Sequence, residues 1–285
     1  MGRDENVKIF QDTERLVKEK KVLADAVKFS TKNQILIPEY MRVADMMPPT
    51  EDNGCRYSAQ ANVLVSTKRT YEAASYYRDK RVCVHNFASA TNPGGGVTKG
   101  SSAQEECLCR CSTLYFNLNS SDMWSGFYSP HRTTKDPIHN DDCIYTPMVT
   151  VFKTDTVEPT LMPEKDWYTV NVITCAAPNL RLMPSNAMNT GDGMRSAKLS
   201  DNELYELHVK RLSRIMDVAV AGGNEVIILG AFGCGAFENN PEVVASASKE
   251  VVSKHMNCFE TIEFAIYCSP RDEENYKIFK RILEV

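Results

Sequence analysis

No apolar run in this 285-residue chain approaches the length of a membrane span, and the first twenty residues, rich in both charge signs, lack the apolar core of a signal peptide. A cytoplasmic protein with no membrane partner is expected. Positive charge is not in excess either. The 33 Lys and Arg against 37 Asp and Glu leave a formal net charge of −4, which offers no field for bulk attraction to nucleic acid or an anionic membrane. Any polyanion would have to be bound locally. Internal repeats and low-complexity linkers are missing, and the Pro/Gly clusters fall between periodic segments, which favours one compact unit. Two familiar nucleotide signatures are missing as well. "GGVTKGSS" places its Lys before a Gly, unlike G-x-x-x-x-G-K-[ST], and "GAFGCG" is not G-x-G-x-x-G with a ribose-binding acid downstream. A P-loop kinase and a Rossmann dehydrogenase are thereby disfavoured.

Cysteine is plentiful, but its ten positions (55, 83, 107, 109, 111, 143, 175, 234, 258 and 268) are spread along a long chain, several in apolar strand-like runs. Reduced, mostly buried thiols fit that pattern better than a disulfide scaffold. Cys107, Cys109 and Cys111 form a C-x-C-x-C run, yet on a helix 107 and 111 share a face while 109 points away, and no histidine lies within ten residues. Small core hydrophobes are preferred over zinc ligands there. Neither a metal nor a cofactor is expected.

What the chain does have is alternation. Residues 3–29 carry apolar positions at Val7, Phe10, Leu16, Val17, Val22, Leu23 and Val27 among charges, suiting one or two surface helices. After "ILIPEY" and an irregular stretch, "NVLVST", "RVCVHNF", "CIYTP", "VTVFK", "YTVNVITCAAPN", "EVIILGAF" and "TIEFAIYC" read as strands. "KRTYEAASYYRDK", "AQEECLCRCSTLYFNL", "DNELYELHVKRLSRIMDVAVAG", "NPEVVASASKEVVSKHM" and "RDEENYKIFKRIL" read as helices. Residues 119–142 read as a polar, irregular surface insertion. Buried strands alternating with amphipathic helices predict an α/β sandwich with helices on both faces of a mixed, largely parallel sheet. Ligands in such sheets sit at the carboxyl ends of strands.

Two glycine-rich loops leave strands at that end. The first runs from "VCVHNF" through "ASATNPGGG" to a helix holding Gln104, Glu105 and Glu106; the second, "GAFGCGAFENNP", enters a helix with Asn240 as N-cap and Pro241 at the first helical position. Such loops present backbone donors and a positive dipole end, so two of them could hold a diphosphate. One alone would be weak, because strand-to-helix turns often carry glycine for geometry. Asn179 is as readily a turn residue after Pro178 as a ligand group. His85, on a buried strand, reads as a satisfied core histidine.

"NP" followed by GGG and then QEE resembles the signature of the microbial-type poly(ADP-ribose) glycohydrolases, which are macrodomains. The similarity extends to "VFK" at 151–153, "CAAPN" at 175–179 and "GAFGCGAFENNP" at 230–241, and covers most of the chain from about residue 60 onward. The segments 119–142 and 180–200 carry nothing that matches. The resemblance implies a three-layer α/β/α macrodomain over 61–285, with residues 1–60 as an N-terminal helical extension packed on it. It also implies an ADP-ribose site, with phosphates on the amides of Gly94, Gly95, Gly96 and Val97 and of Gly233, Cys234, Gly235, Ala236 and Phe237. Gln104 belongs to the same set. Asn92 is similar to the asparagine that holds the distal ribose, and Phe237 to the aromatic that packs on it.

Cleaving a ribosyl bond passes through an oxocarbenium-like centre, so the leaving oxygen needs a proton and water needs a place to attack. Neighbouring glutamates on a helix diverge by roughly 100°, so Glu105 and Glu106 should have different tasks. A helix N-terminus favours the ionised carboxylate; burial and a bound diphosphate oppose it. By resemblance, Glu106 is the acid that protonates the leaving oxygen and then helps activate water, and Glu105 holds ribose hydroxyls. The expected activity releases ADP-ribose, as a monomeric enzyme, from poly(ADP-ribose) or a mono-ADP-ribosylated protein. The alternative is a reader that only binds ADP-ribose, which would have no need of the second acid.

Overall fold

The computed structural model describes residues 2–48, 56–268 and 272–284; Cys55 lies outside them. Seven strands, β1 (Ile35–Ile37), β2 (Asn62–Ser66), β3 (Val82–Phe87), β4 (Cys143–Val151), β5 (Tyr168–Cys175), β6 (Val226–Leu229) and β7 (Thr261–Ala265), form one sheet in the order β1-β4-β5-β3-β6-β7-β2. The pairs β2/β7, β7/β6, β6/β3 and β3/β5 are parallel, while β4 runs antiparallel to both β5 and β1. The sheet is thus mixed and largely parallel, and the α/β class is as the sequence predicts. The central parallel strands β3 and β6 are buried on both faces, which accounts for their nearly continuous apolar runs, while β2 at the edge is partly exposed.

The helices in chain order are α1 (Arg3–Glu19), α2 (Lys21–Lys32), α3 (Val43–Met46), α4 (Thr70–Ala74), α5 (Gln104–Cys111), α6 (Leu114–Leu118), α7 (Ser121–Met123), α8 (Ser129–Thr134), α9 (Asp201–Ala221), α10 (Pro241–Lys254) and α11 (Glu274–Leu283). One face of the sheet packs on α9, α10 and α11 through Leu212, Ile215, Val244, Val251 and Phe279. The other packs on α4, α5 and α6 through Tyr71, Leu108, Cys109 and Leu114, with Phe10 of α1 edge-on to Tyr115. Asn6 of α1 donates to the Gly100 carbonyl and Thr13 to that of Arg110, which ties this first helix to the glycine-rich side of the molecule. No described helix is long and apolar enough to cross a membrane.

Three segments differ from their sequence reading. Residues 119–142 are largely helical, with α7 and α8 joined by a π-helical turn at Trp124–Tyr128, and they bury Phe127, Tyr128 and His131. Their wider helical turn shifts the apolar positions off a 3.6-residue period, so the amphipathic pattern is broken. "CIYTP" and "VTVFK" are one strand, because the register shift between Thr146 and Val149 lets pairing with β5 continue past Pro147, with Met148 at φ 57°. The long helix expected over 103–118 breaks at Ser112, whose extended backbone bridges to Val151.

The topology places the crevice. Strands β3 and β6 are neighbours, but the chain leaves β3 toward α5 on one face and leaves β6 toward α10 on the other. Between two such departures the sheet end stays open, the usual ligand position in an open α/β sheet.

Candidate active site

At that end lies a cleft of about 900 Å³. Its walls hold Gly95, Gly96 and the start of α5 from the first loop, and Gly233, Gly235, Ala236 and Phe237 from the second. Glu105 and Glu106 both line it, and both are nearly inaccessible to solvent. Their surroundings differ, as neighbours on one helix must. Glu105 is restrained at both oxygens: Oε2 accepts from the Ser89 amide at 2.8 Å and Oε1 from the Asn86 carboxamide at 3.2 Å. Glu106 accepts at Oε1 from the Gly96 amide, 2.8 Å, while its buried Oε2 has no hydrogen-bond partner. An ionised carboxylate with an unpartnered, desolvated oxygen is costly, which favours the protonated form of Glu106.

Burial pushes both carboxyls up from the ordinary 4.5. Glu105 is driven furthest because the charge of Glu106 adds to desolvation, and the amides of Ser89 and Gly96 only partly oppose the rise. The folded state therefore binds more protons than the unfolded chain once the pH exceeds about 4.5. The stabilising contribution of the protonated pair is complete below that value and is lost as pH rises through the folded-state pKa values. Glu106→Gln removes one member of the pair and keeps an acceptor for Gly96. Its Tm, relative to the unmodified protein, should rise from pH 4.5 upward; a gap that stays constant with pH in thermal melts would contradict this.

Gly95, at φ 58°, is the closest approach of the first loop to the acids: a Cβ there would sit 2.5 Å from Glu106 Oε1. Gly96 is shut in by Ser101 and by the carbonyl of Met188. Gly235 is the opposite case. It is exposed on the cleft wall, and a Cβ there meets nothing within 4 Å. Gly235→Val should leave thermal stability nearly unchanged and weaken a ligand lying on the second loop by about tenfold or more. Calorimetry with ADP-ribose showing unchanged affinity would remove that loop from the site.

The remaining sequence candidates divide. Gln104 lines the cleft, but its carboxamide is spent on the Phe87 amide (2.9 Å) and the His85 carbonyl (2.7 Å), fastening α5 to β3. Asn92 does not line the cleft; its carboxamide donates to the Thr190 carbonyl at 2.7 Å and accepts from Thr190 Oγ1 at 3.0 Å. Asn179 is fully buried, its carboxamide donating to Asp192 at 2.7 Å and accepting from the Arg181 amide at 3.4 Å, two residues on. The side chains of Val97 and Cys234 pack into the two cores, and Gly94, at φ 65°, lies against Tyr115 and Cys109. Phe237 is in the cleft wall with the Arg181 guanidinium 5.6 Å from its ring. His85 is buried as expected, but not satisfied. Both ring nitrogens lack partners between Phe87 and Phe232, and burial holds its pKa down to about 3, which favours the neutral imidazole.

Several cleft residues have no signal in the sequence. Ser89, between strand and glycines, is the restraint on Glu105 and is itself held by Asn189, whose Oδ1 accepts the Ser89 hydroxyl at 2.7 Å. Asn189 in turn donates to Asp192, 2.7 Å, which also accepts from Thr91, 3.0 Å, and faces His139 at 3.4 Å. The loop 180–200 is thereby connected to the acid pair through Asp192, Asn189 and Ser89. At the other end of the cleft stand Arg69, stacked 3.9 Å from the Tyr267 ring, and Asp155, whose carboxyl burial pushes up to about 6. Their one sequence cue is position: Arg69 and Tyr267 follow the neighbouring strands β2 and β7.

Comparison with known proteins decides the family. The model of the microbial-type PARG catalytic domain matches residues 4–154, which include the three glycines and both glutamates. The chain belongs to that family. No curated protein matches the chain. Among solved structures it is similar to the PARG, or poly(ADP-ribose) glycohydrolase, of Thermomonospora curvata. That match has TM-score 0.79 and 25% identity, over 97% of this chain and 98% of that one. The Deinococcus radiodurans PARG solved in complex with ADP-ribose gives TM-score 0.75 and 30% identity over 90% of this chain and 97% of that one. A further Thermomonospora curvata PARG structure, with the inhibitor ADP-HPD, gives TM-score 0.77 at 25% identity, over 97% and 98%. The second glycine loop and the loop 180–200 lie outside the family-model match.

Proposed function

We propose that the protein is an ADP-ribose glycohydrolase, releasing ADP-ribose from poly(ADP-ribose) or an ADP-ribosylated protein by hydrolysis of the ribosyl bond, with Glu106 as general acid and base. The observation that carries this reading is the unpartnered, buried Glu106 Oε2 beside the glycine loop, in a chain similar to a PARG solved in complex with ADP-ribose. The diphosphate lies against the two glycine-rich loops, with open space over Gly235 on the second and Gly95 and Gly96 lining the cleft on the first. That places the distal ribose between Phe237 and the acid pair. As the bond from the ribosyl carbon to the leaving oxygen breaks, the proton on Glu106 moves to that oxygen. The resulting carboxylate takes a proton from water as the water oxygen bonds to the ribosyl carbon, and Glu106 is restored. Glu105, fixed by Ser89 and Asn86, holds ribose hydroxyls beside the reacting carbon.

Residues 1–60 act in this reading as an extension of the catalytic core at 61–285, supported by Phe10 packing and by Arg3 lining the cleft. A monomer in a reducing compartment, the cytoplasm, is proposed; the thiols of Cys143 and Cys175, buried side by side and sharing a hydrogen bond, fit reducing conditions. The test is release of ADP-ribose from poly(ADP-ribose) and from mono-ADP-ribosylated protein, followed chromatographically with EDTA present. Release from at least one substrate is expected. Binding of ADP-ribose without release from either would make the protein a reader instead.

A further inference from the structure

Asp192 is a buried acid that does not line the cleft and has no part in the reaction as drawn above. Its carboxylate is nonetheless closely surrounded. Oδ2 accepts from the carboxamides of Asn189 and Asn179, each at 2.7 Å, and Oδ1 lies 3.0 Å from the Thr91 hydroxyl and 3.4 Å from His139 Nε2. Burial pushes this carboxyl up, but His139, Asn179 and Asn189 more than offset it, and it lies below the ordinary 3.8. Its neighbours, rather than water, keep it ionised.

A carboxylate can only accept, and this fixes the direction of each hydrogen bond leading from Asp192 to the acid pair. Asn189 must turn its NH2 toward Asp192, so its carbonyl oxygen faces Ser89. That oxygen in turn requires the Ser89 hydroxyl to donate, at 2.7 Å. The lone pairs of the hydroxyl are then left for the Asn92 amide at 3.1 Å and the Thr91 amide at 3.4 Å. The turn 89–92 is held in this way, with the Ser89 amide directed at Glu105 Oε2, 2.8 Å. At the end of the turn the Asn92 carbonyl accepts from the Gly95 amide, 2.9 Å. One charge outside the cleft thereby sets how the first glycine loop begins and where Glu105 is anchored.

We propose that Asp192 is a positioning residue of the glycohydrolase, acting through Asn189, Ser89 and Glu105 on the placement of the ribose without touching the substrate. The proposal rests on the glycohydrolase reading above and adds a residue to its machinery. An amide at position 192 would have a donor to offer, so the Asn189 carboxamide could turn over and present its NH2 to Ser89. The Ser89 hydroxyl would then accept there and release one of the two amides that it holds in the turn. Glu105 would keep its partner, but on a loosened anchor. Misplacement by about 1 Å can cost on the order of a hundredfold in rate, so a loosened anchor is expected to cost about tenfold.

The experiment is a double-mutant cycle on the rate of ADP-ribose release from poly(ADP-ribose), under single-turnover conditions where slow variants stay readable. Asp192→Asn alone should lower the rate by about tenfold or more. Added to Glu105→Gln, it should lower it by about threefold or less, because the group that it positions is already altered. Gly235→Val, on the second loop, is the control: in that background Asp192→Asn should cost the same factor as it does alone. A merely structural role would cost that factor in every background, Glu105→Gln included. Thermal melts establish that each variant is folded at the assay temperature. If Asp192→Asn is not, Ser89→Ala replaces it, since it removes the hydroxyl that meets Asn189 and leaves the amide that holds Glu105; the same pattern is expected. A rate for Asp192→Asn within about twofold of the unmodified protein, or an undiminished loss in the Glu105→Gln background, overturns the positioning role and leaves the glycohydrolase reading intact. If the unmodified protein releases ADP-ribose from neither the polymer nor a mono-ADP-ribosylated protein, the glycohydrolase reading fails first and the positioning role with it.

Discussion

Glu106→Gln should lower kcat for ADP-ribose release by about 10²–10⁴-fold, the range a positioned general acid commonly contributes, while leaving the affinity for ADP-ribose nearly unchanged. The side chain keeps its length, and its carbonyl oxygen can still accept from the Gly96 amide, so the first loop has no reason to move. What is lost is the capacity of the second oxygen, which has no partner in the folded protein, to carry and deliver a proton. An interaction made only in the transition state shows itself in kcat rather than in binding. Glu105→Gln should behave differently. Its two oxygens anchor the Ser89 amide and the Asn86 carboxamide, so an amide there turns a donor toward one of those donors and disturbs the site before any chemistry. A loss of both affinity and turnover is expected. Near-normal hydrolysis by Glu106→Gln, measured on the polymer and on a mono-ADP-ribosylated protein, would remove the acid role from Glu106.

Gly95→Val should abolish measurable turnover and weaken ADP-ribose binding severely. Two effects act together. The backbone at φ 58° disfavours any β-branched residue, and the added Cβ would lie 2.5 Å from Glu106 Oε1 and 3.1 Å from Glu105 Oε2. Neither carboxylate can give way easily, because both are held by amides of the same loop region. The loss in affinity is expected at about a hundredfold or more, corresponding to the several kcal/mol of strain and displaced contacts. Circular dichroism and thermal melting separate local damage from unfolding: Gly235→Val, in open space on the facing loop, is the matched substitution that perturbs the ligand without strain. Full ADP-ribose affinity in Gly95→Val would mean that the ligand does not lie against the first loop.

The α/β class and the acid–glycine pairing were legible because each depends on local pattern. Val82–Phe87 and Val226–Leu229 are short apolar runs of buried strands, and the glycines between strand and helix mark where the chain turns close to a ligand. The loop 180–200 was illegible for the opposite reason. Its order comes from Asp192 and Asn189 meeting Ser89, Thr91 and Asn179, contacts between residues far apart in the chain that leave no period behind. The same applies to Asn92 and Gln104. Their residue types suit ligand contact, and only the fold reveals that their carboxamides are committed to Thr190 and to β3. β1 escaped because three residues, Ile35–Ile37, are too few to alternate visibly, and antiparallel pairing with β4 rather than propensity makes them a strand.

The central claim, that burial keeps a proton on the acid pair ready for delivery, is tested most directly by carbon-detected NMR of the protein labelled at glutamate carboxyls, titrated with and without Glu106→Gln. The pair titrates as a unit, so the resonances to follow are those lost or shifted in the variant. The account predicts that they titrate above the ordinary glutamate value of 4.5, and higher still with ADP-ribose bound. Titration at or below 4.5 in both states would show an ionised pair with no proton to give, and would contradict it.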